Sequence, residues 1–243
     1  MATLYRVRYR TAGESTFREE DPSVMRSFPV AELDAAREVN NRHGQQHRTG
    51  WYASKKAGRS LKFESGLERL RMMFLDFDPT VTTYAAQPFT LLWRADGKLY
   101  GYTPDLLIVR PGQGRTVEDV KPEPFRASKK NLPAFQAAEE ALSDVDITFS
   151  VWSRPPLVLC SNVQYLAGFR RVPIRTPELT RTLLGALASG PLPLGVLAAR
   201  ADQELLARPV LYHLLWNHRL QADLNVPLGN STLIYRAEVE GRT

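Results

Sequence analysis

The chain has 243 residues, 43% of them hydrophobic and 24% charged, a balance that suits one large globular domain or two modest ones and excludes a disordered or fibrous chain. Its formal net charge of +6 favours a polyanionic partner without requiring one. A single cysteine, Cys160, excludes an internal disulfide and any cysteine-based zinc site. Neither a membrane-length apolar run nor a signal-peptide core is visible, so the cytoplasm is the expected compartment.

Leu4 to Arg10 alternates large and basic residues and is predicted to be a strand, followed by a polar loop to Asp21. Val30, Leu33, Ala36 and Val39 have helical spacing and predict a helix over 30–40. The stretch 40–62 is polar and basic and reads as loop. His43 and His47 lie within it without a carboxylate or cysteine partner and read as solvated, not as a metal site. Lys55, Lys56, Arg59 and Lys62 form either an ordinary solvated surface or a track for phosphates.

Ser65 to Phe77 is predicted to be a helix with Leu67, Leu70, Phe74 and Phe77 as its buried stripe, ended by Asp78-Pro79. Ser65 and Glu68 have capping-box spacing, so the residues alone assign Glu68 to closing the helix N-terminus. Short strands follow at 81–84, 89–94 and 99–102, the last two joined by an Ala95-Asp96-Gly97-Lys98 turn. Gln87-Pro88 reads as a turn whose glutamine satisfies backbone groups.

Leu106 to Val109, the Pro111-Gly112-Gln113-Gly114 turn and Arg115 to Lys121 form a predicted hairpin. Alternation puts Asp119 and Lys121 on one face and turns Glu118 outward. Asp105 opens the first strand beside the end of the second. Two carboxylates and a lysine thus converge, a set able to hold a hard cation and a water on a phosphodiester. Arg126, Lys129 and Lys130 come next, then a helix from Pro133 to Leu142 and a strand over 147–152. Residues 154–172 read as transitional, with Cys160 as a small apolar residue. Beyond Ile174 the pattern becomes short helices at about 176–190, 195–200 and from Pro209, then a hairpin ending in Ser231–Tyr235. Three helices followed by a hairpin is winged-helix order. The last helix lacks a dense basic face, which favours a protein partner or mixed use.

Ser65-Gly66-Leu67-Glu68, Tyr84-Ala85-Ala86-Gln87-Pro88, Tyr102-Thr103-Pro104-Asp105 and Val117-Glu118-Asp119-Val120-Lys121-Pro122 occur in one order. With them the chain resembles TnsA, the endonuclease subunit of heteromeric, TnsABC-type transposases. The resemblance covers about 60 to 155, and the winged-helix pattern after about 172 agrees with that family's C-terminal domain. It implies an α/β fold with a restriction-endonuclease-like PD-(D/E)XK core over 1–171 and a small winged-helix domain over 172–243. It also implies an Mg²⁺-dependent DNA endonuclease that cuts the 5′, non-transferred strand at transposon ends. Partners would be the DNA ends, a TnsB-like DDE transposase and, through the C-terminal domain, a TnsC-like AAA+ regulator.

On that resemblance Glu68 becomes a metal ligand, Asp105 the bridging aspartate and Lys121 the catalytic lysine. Asp119 falls where relatives can carry glutamine, a departure that makes the site more acidic. One or two Mg²⁺ ions, with Mn²⁺ able to substitute, would be held by Glu68, Asp105, Asp119 and the backbone carbonyl of Val120. DNA contacts are expected from Lys55, Lys56, Arg59, Lys62, Gln87, Arg126, Lys129 and Lys130. The alternatives are a restriction or repair endonuclease with the same core, or a catalytically silent DNA-binding or assembly subunit.

Overall fold

The structure is a computed structural model describing residues 4–37, 49–123, 131–171, 177–201 and 204–237. The histidines read as solvated, His43 and His47, and the expected DNA contacts Arg126, Lys129 and Lys130 lie outside the described residues. The fold is mixed α/β, in two compact units, Met1–Arg154 and Pro155–Thr243. That division falls earlier in the chain than the sequence-based boundary at 171/172. Among the described residues no helix is long and apolar enough to cross a membrane.

The first unit holds two four-stranded sheets. One is antiparallel, in the order β2 (Arg18–Glu20), β1 (Tyr5–Tyr9), β6 (Thr90–Ala95), β7 (Lys98–Tyr102). The β6–β7 turn has positive φ at both Asp96 and Gly97, the two-residue geometry that Asp-Gly favours. The other sheet runs β10 (Ile147–Trp152), β9 (Gly114–Val120), β8 (Leu106–Arg110), β5 (Thr83–Ala86). There β9 pairs antiparallel with β8 and parallel with β10. A parallel pair needs a crossover, and α2 (Leu132–Ser143) lies within it.

Val7, Tyr9 and Leu91 from the first sheet meet Ala85, Leu107, Val117 and Ile147 from the second, with Ala138, Ala141 and Leu142 of α2, in one core. The second sheet is buried on its other face too, since Leu106, Leu107 and Ile108 are all fully covered. α1 (Gly66–Phe77) covers that far face. Its Arg71 reaches Glu118, Phe74 packs 5.9 Å from Trp152, and Tyr84 donates a 3.2 Å hydrogen bond to the Met72 carbonyl. The helix is therefore buried well beyond the predicted stripe: Arg71, Met72, Met73, Leu75 and Asp76 are covered along with Leu70, whereas Leu67, Phe74 and Phe77 are half-exposed.

Three expectations fail here. The predicted helix from Val30 is a single 3-10 turn, Val30–Glu32. Long-range backbone pairing takes over after it, with Leu33 bridged to Thr11, Asp34 N–H donating to the Arg10 carbonyl and Ala36 N–H to Gln87. The basic stretch read as loop contains an antiparallel ribbon, β3 (Gly50–Ala53) with β4 (Ser60–Phe63). Residues read as transitional form α3 (Leu157–Ala167), which buries Cys160, Val163, Leu166 and Ala167.

In the second unit, α3, α4 (Pro177–Ala186) and α5 (Leu194–Ala198) each pack on α6 (Glu204–Trp216). Pro209 lies inside α6 instead of starting it. A small sheet orders β11 (Leu192–Pro193), β13 (Leu233–Arg236), β12 (Leu220–Gln221). Buried Asn162 pins the loop between β12 and β13, donating 2.8 Å bonds to the carbonyls of Leu224 and Val226 and accepting from Leu228 N–H.

Candidate active site

The end of β9 and the segment entering β8 build the site together. Register pairs Leu106 with Glu118, which sets Asp105 beside Asp119 and Val120. Asp105 is held from three sides. Its N–H donates to Asp119 Oδ1 at 3.3 Å, its carbonyl accepts the Gln87 N–H at 2.9 Å, and its Oδ2 accepts the Val120 N–H at 2.8 Å. Lys121 lies between the two aspartates, its Nζ 3.2 Å from Asp105 Oδ2 and 3.1 Å from Asp119 Oδ2. The convergence expected of Asp105, Asp119 and Lys121 is therefore present. Lys121 is further anchored through its backbone, N–H to the Trp152 carbonyl and C=O from Ser153 Oγ.

Glu68 stands in the first turn of α1. Ser65 Oγ accepts the Glu68 N–H at 3.1 Å, while Glu68 Oε1 accepts the Ser65 hydroxyl at 2.9 Å and Oε2 the Glu64 N–H at 2.8 Å. These are the bonds of a helix cap, so Glu68 closes the N-terminus as its spacing predicts. It also lies close enough to Asp105 for the two charges to oppose one another. Burial, then the Asp105 charge, push the Glu68 carboxyl up to about 7. Burial, then the Asp119 charge, push Asp105 up to about 6 against the pull of Lys121. For Lys121 burial disfavours the ammonium, but the two aspartates outweigh it and hold its pKa above the ordinary lysine value.

Tyr102, to which sequence reasoning gave no role, donates its hydroxyl to Asp119 Oδ1 at 2.7 Å. Burial and the Asp119 charge raise its pKa, so it remains a neutral donor. It is seated edge-on against Phe135 of α2 and Phe149 of β10. Only its place near the Pro-Asp pair signalled it.

Glu118 corrects an expectation. It does face away from Asp119, but into protein: it is 5% exposed and accepts two bonds from Arg71, at 2.6 Å from Nε and 2.9 Å from Nη2. Arg71 in turn lies over the Trp152 ring, 5.2 Å from its centroid. The pair ties the strand that carries Asp119 to the helix that carries Glu68.

The expected DNA contacts separate. Gln87 is buried, with φ of 49°; its main chain pairs with Asp105 and Ala36, but its side chain does not satisfy backbone groups as expected, since Nε2 donates to Glu64 Oε1 at 2.8 Å and Oε1 has no partner among the described residues. It is not on a surface that DNA could touch. Arg59 is engaged with the Leu33 carbonyl and with Asp34, and Lys56 with the Asp78 carbonyl. Lys55 is exposed and Lys62 half-exposed. The ribbon is fastened near the C-terminal end of α1 by buried Asp76, which accepts from Tyr52, Ser54, Tyr84 and the Lys55 N–H.

Among the described residues, no three His, Cys, Asp or Glu side chains stand together as a ready metal-ion set. The donor chemistry still fits a hard divalent cation: every candidate ligand is oxygen, and Glu68 and Asp105 crowd each other, with Lys121 drawing Asp105 back toward its charged form. Asp105 Oδ1 accepts no hydrogen bond among the described residues, so it is available as a ligand. Compared with known proteins, the chain matches no family model and no curated protein.

Proposed function

We propose that this protein is a metal-dependent DNA endonuclease that hydrolyses a phosphodiester, built on a PD-(D/E)XK core. The observation that carries the reading is the ammonium of Lys121 held 3.2 and 3.1 Å from Asp105 and Asp119 at the end of a β-hairpin, with Glu68 beside Asp105. The ordered match of four segments to TnsA supports the narrower reading, the subunit that cuts the 5′ strand at transposon ends. The order α4, β11, α5, α6, β12, β13, with β13 between the other two strands, supports a winged-helix module in the second unit. That module is the proposed contact for an AAA+ regulator, and a DDE transposase is the proposed second catalytic partner.

Glu68, Asp105, Asp119 and the Val120 carbonyl would hold Mg²⁺, or Mn²⁺ in its place. When bound, the ion supplies Lewis acidity and eases deprotonation of the attacking water. The Val120 N–H fixes one oxygen of Asp105 and leaves the other free. Tyr102 fixes Oδ1 of Asp119, whose Oδ2 faces Lys121. Lys121 offers positive charge where negative charge grows on the phosphate as water attacks in line, leaving a 3′-hydroxyl and a 5′-phosphate. Arg71 and Glu118 touch none of the reacting atoms and act by positioning.

Nicking of labelled transposon-end duplex, with the partner subunits present, tests the reading. Asp105→Ala and Lys121→Ala are each expected to abolish nicking while retaining the wild-type circular dichroism spectrum. Full nicking by both would sink the assignment. The second reading is a catalytically silent DNA-binding or assembly subunit, favoured by the hydrogen bonds that already occupy both oxygens of Glu68. It expects no divalent-dependent nicking from the wild type.

A further inference from the structure

The outward face of the β2-β1-β6-β7 sheet carries a row of arginines that the site does not use. Arg6, Arg8 and Arg10 alternate with the buried Val7 and Tyr9 along β1 and its C-terminal extension, so all three project from one face, about 6.7 Å apart. Arg94 stands on the same face of β6, because Arg6 pairs with Leu92. Among the described residues none of these four makes an ion pair within 4.0 Å. Glu19, opposite Arg8 in register, is the carboxylate of this face, and Asp21 beside Arg6 lies at its margin.

Arg8 and Arg10 are held by a ring instead of by acids, and Arg6 Nη2 donates to the Glu19 carbonyl at 2.8 Å. The guanidinium carbons of Arg8 and Arg10 lie 5.3 and 4.9 Å from the centroid of Phe17, and the Nε of each is buried without a partner. Stacking of this kind fixes a guanidinium and leaves its terminal nitrogens free to donate. The row also leads to the candidate site. Arg8 pairs with Thr90, Thr90 Oγ1 is 2.8 Å from Thr103 Oγ1, and Thr103-Pro104-Asp105 is continuous chain.

We infer that this face binds the phosphate backbone of duplex DNA, with Arg6, Arg8 and Arg10 on phosphates flanking the bond to be cut. The choice of DNA rests on the nuclease reading; the binding surface itself rests on uncompensated charge, ring-held guanidinium groups and an open sheet face. Phosphates suit arginines free of carboxylates because the contact releases condensed counterions from the duplex.

The test is a fluorescence-anisotropy titration of the full chain with a labelled 30-base-pair duplex in EDTA, repeated across salt concentrations. Each phosphate contact contributes about 0.9 to the slope of log K against log salt. Together R6Q, R8Q and R10Q are expected to lower that slope by about 2 or more and to weaken binding at least about tenfold. Because Arg8 and Arg10 pack on Phe17, the exposed R6E is read alongside: it leaves the stack intact and is expected to lower the slope by about 1 on its own. An unchanged slope in R6E, or in a folded triple variant, overturns the proposal. Arginine-dependent binding to polyglutamate or to anionic vesicles, with none to the duplex, overturns it as well. Because EDTA removes divalent ions, the slope stands whether or not the protein nicks DNA.

Discussion

The Arg71–Glu118 pair joins the helix of Glu68 to the strand of Asp119, and breaking it tests how the first unit is held. The side chains are 11% and 7% exposed and meet in a two-point contact of 2.6 and 2.9 Å, with Trp152 closing over the guanidinium. A buried pair is worth little against a well-packed apolar replacement, but removing one partner strands the other charge and costs about 3–5 kcal/mol. Arg71→Met and Glu118→Gln should each lose about that much. Urea unfolding followed by tryptophan fluorescence reports mainly this unit, since Trp51, Trp93 and Trp152 lie in it and only Trp216 in the other. At a slope of about 2 kcal/mol per molar urea, the midpoint of that transition should fall by about 2 M. The double variant R71M/E118L strands no charge and should lose less than either single variant, which requires a coupling energy of at least about 3 kcal/mol between the sites. Single variants that each lose under about 0.5 M would mean the pair is open to water and α1 is held by its apolar contacts alone.

Glu68→Gln should stabilise the protein in alkaline solution. With the carboxyl raised from 4.5 to about 7, the native state binds more protons than the unfolded state between those pH values, so stability falls as pH rises through that window. The cost is present above pH 7, absent below about 4.5, and at most roughly 3 kcal/mol, shared with Asp105. The melting-temperature gap between variant and wild type should open from pH 5 to pH 8; a constant gap would contradict the crowding of these carboxyls. Mn²⁺ at about a hundredfold over its Kd should raise wild-type stability by about 2.7 kcal/mol and leave Asp105→Ala unmoved, in thermal melts at pH 8. Asp76→Ala removes the shared acceptor of the Tyr52, Ser54 and Tyr84 hydroxyls and the Lys55 N–H, leaving Tyr84 its bond to the Met72 carbonyl, and should cost about 3–5 kcal/mol. Hydrogen exchange should then rise first in β3 and β4, and equal protection there would refute the pinning role.

Local signals in the chain marked the elements that carry the site. Ser65 and Asp78-Pro79 bracket α1, and the Gly-rich turn set the hairpin and hence the shared face of Asp119 and Lys121. Glu118 was misread because alternation gives only a side, not what covers it; α1 lies over that side, and the partner Arg71 is distant in sequence. Val30–Ala36 has helical spacing but is captured by pairing with Thr11, Arg10 and Gln87, contacts no local pattern encodes. The β3–β4 ribbon was legible in the alternation of Trp51-Tyr52-Ala53 and Leu61-Lys62-Phe63, yet its lysines and arginines drew the reading toward loop. In α3 the Pro155-Pro156 pair masked an apolar spacing through Cys160, Val163 and Leu166.

The chemistry at Asp105, Asp119 and Lys121 is tested most directly by one cleavage time course. Labelled transposon-end duplex, the partner subunits and the wild-type protein are combined with Mg²⁺ or with EDTA, beside Lys121→Ala in Mg²⁺. The expected result is a single-strand break with 3′-hydroxyl and 5′-phosphate ends, formed only by the wild type and only with Mg²⁺. Equal cleavage in EDTA, or by Lys121→Ala, would contradict it.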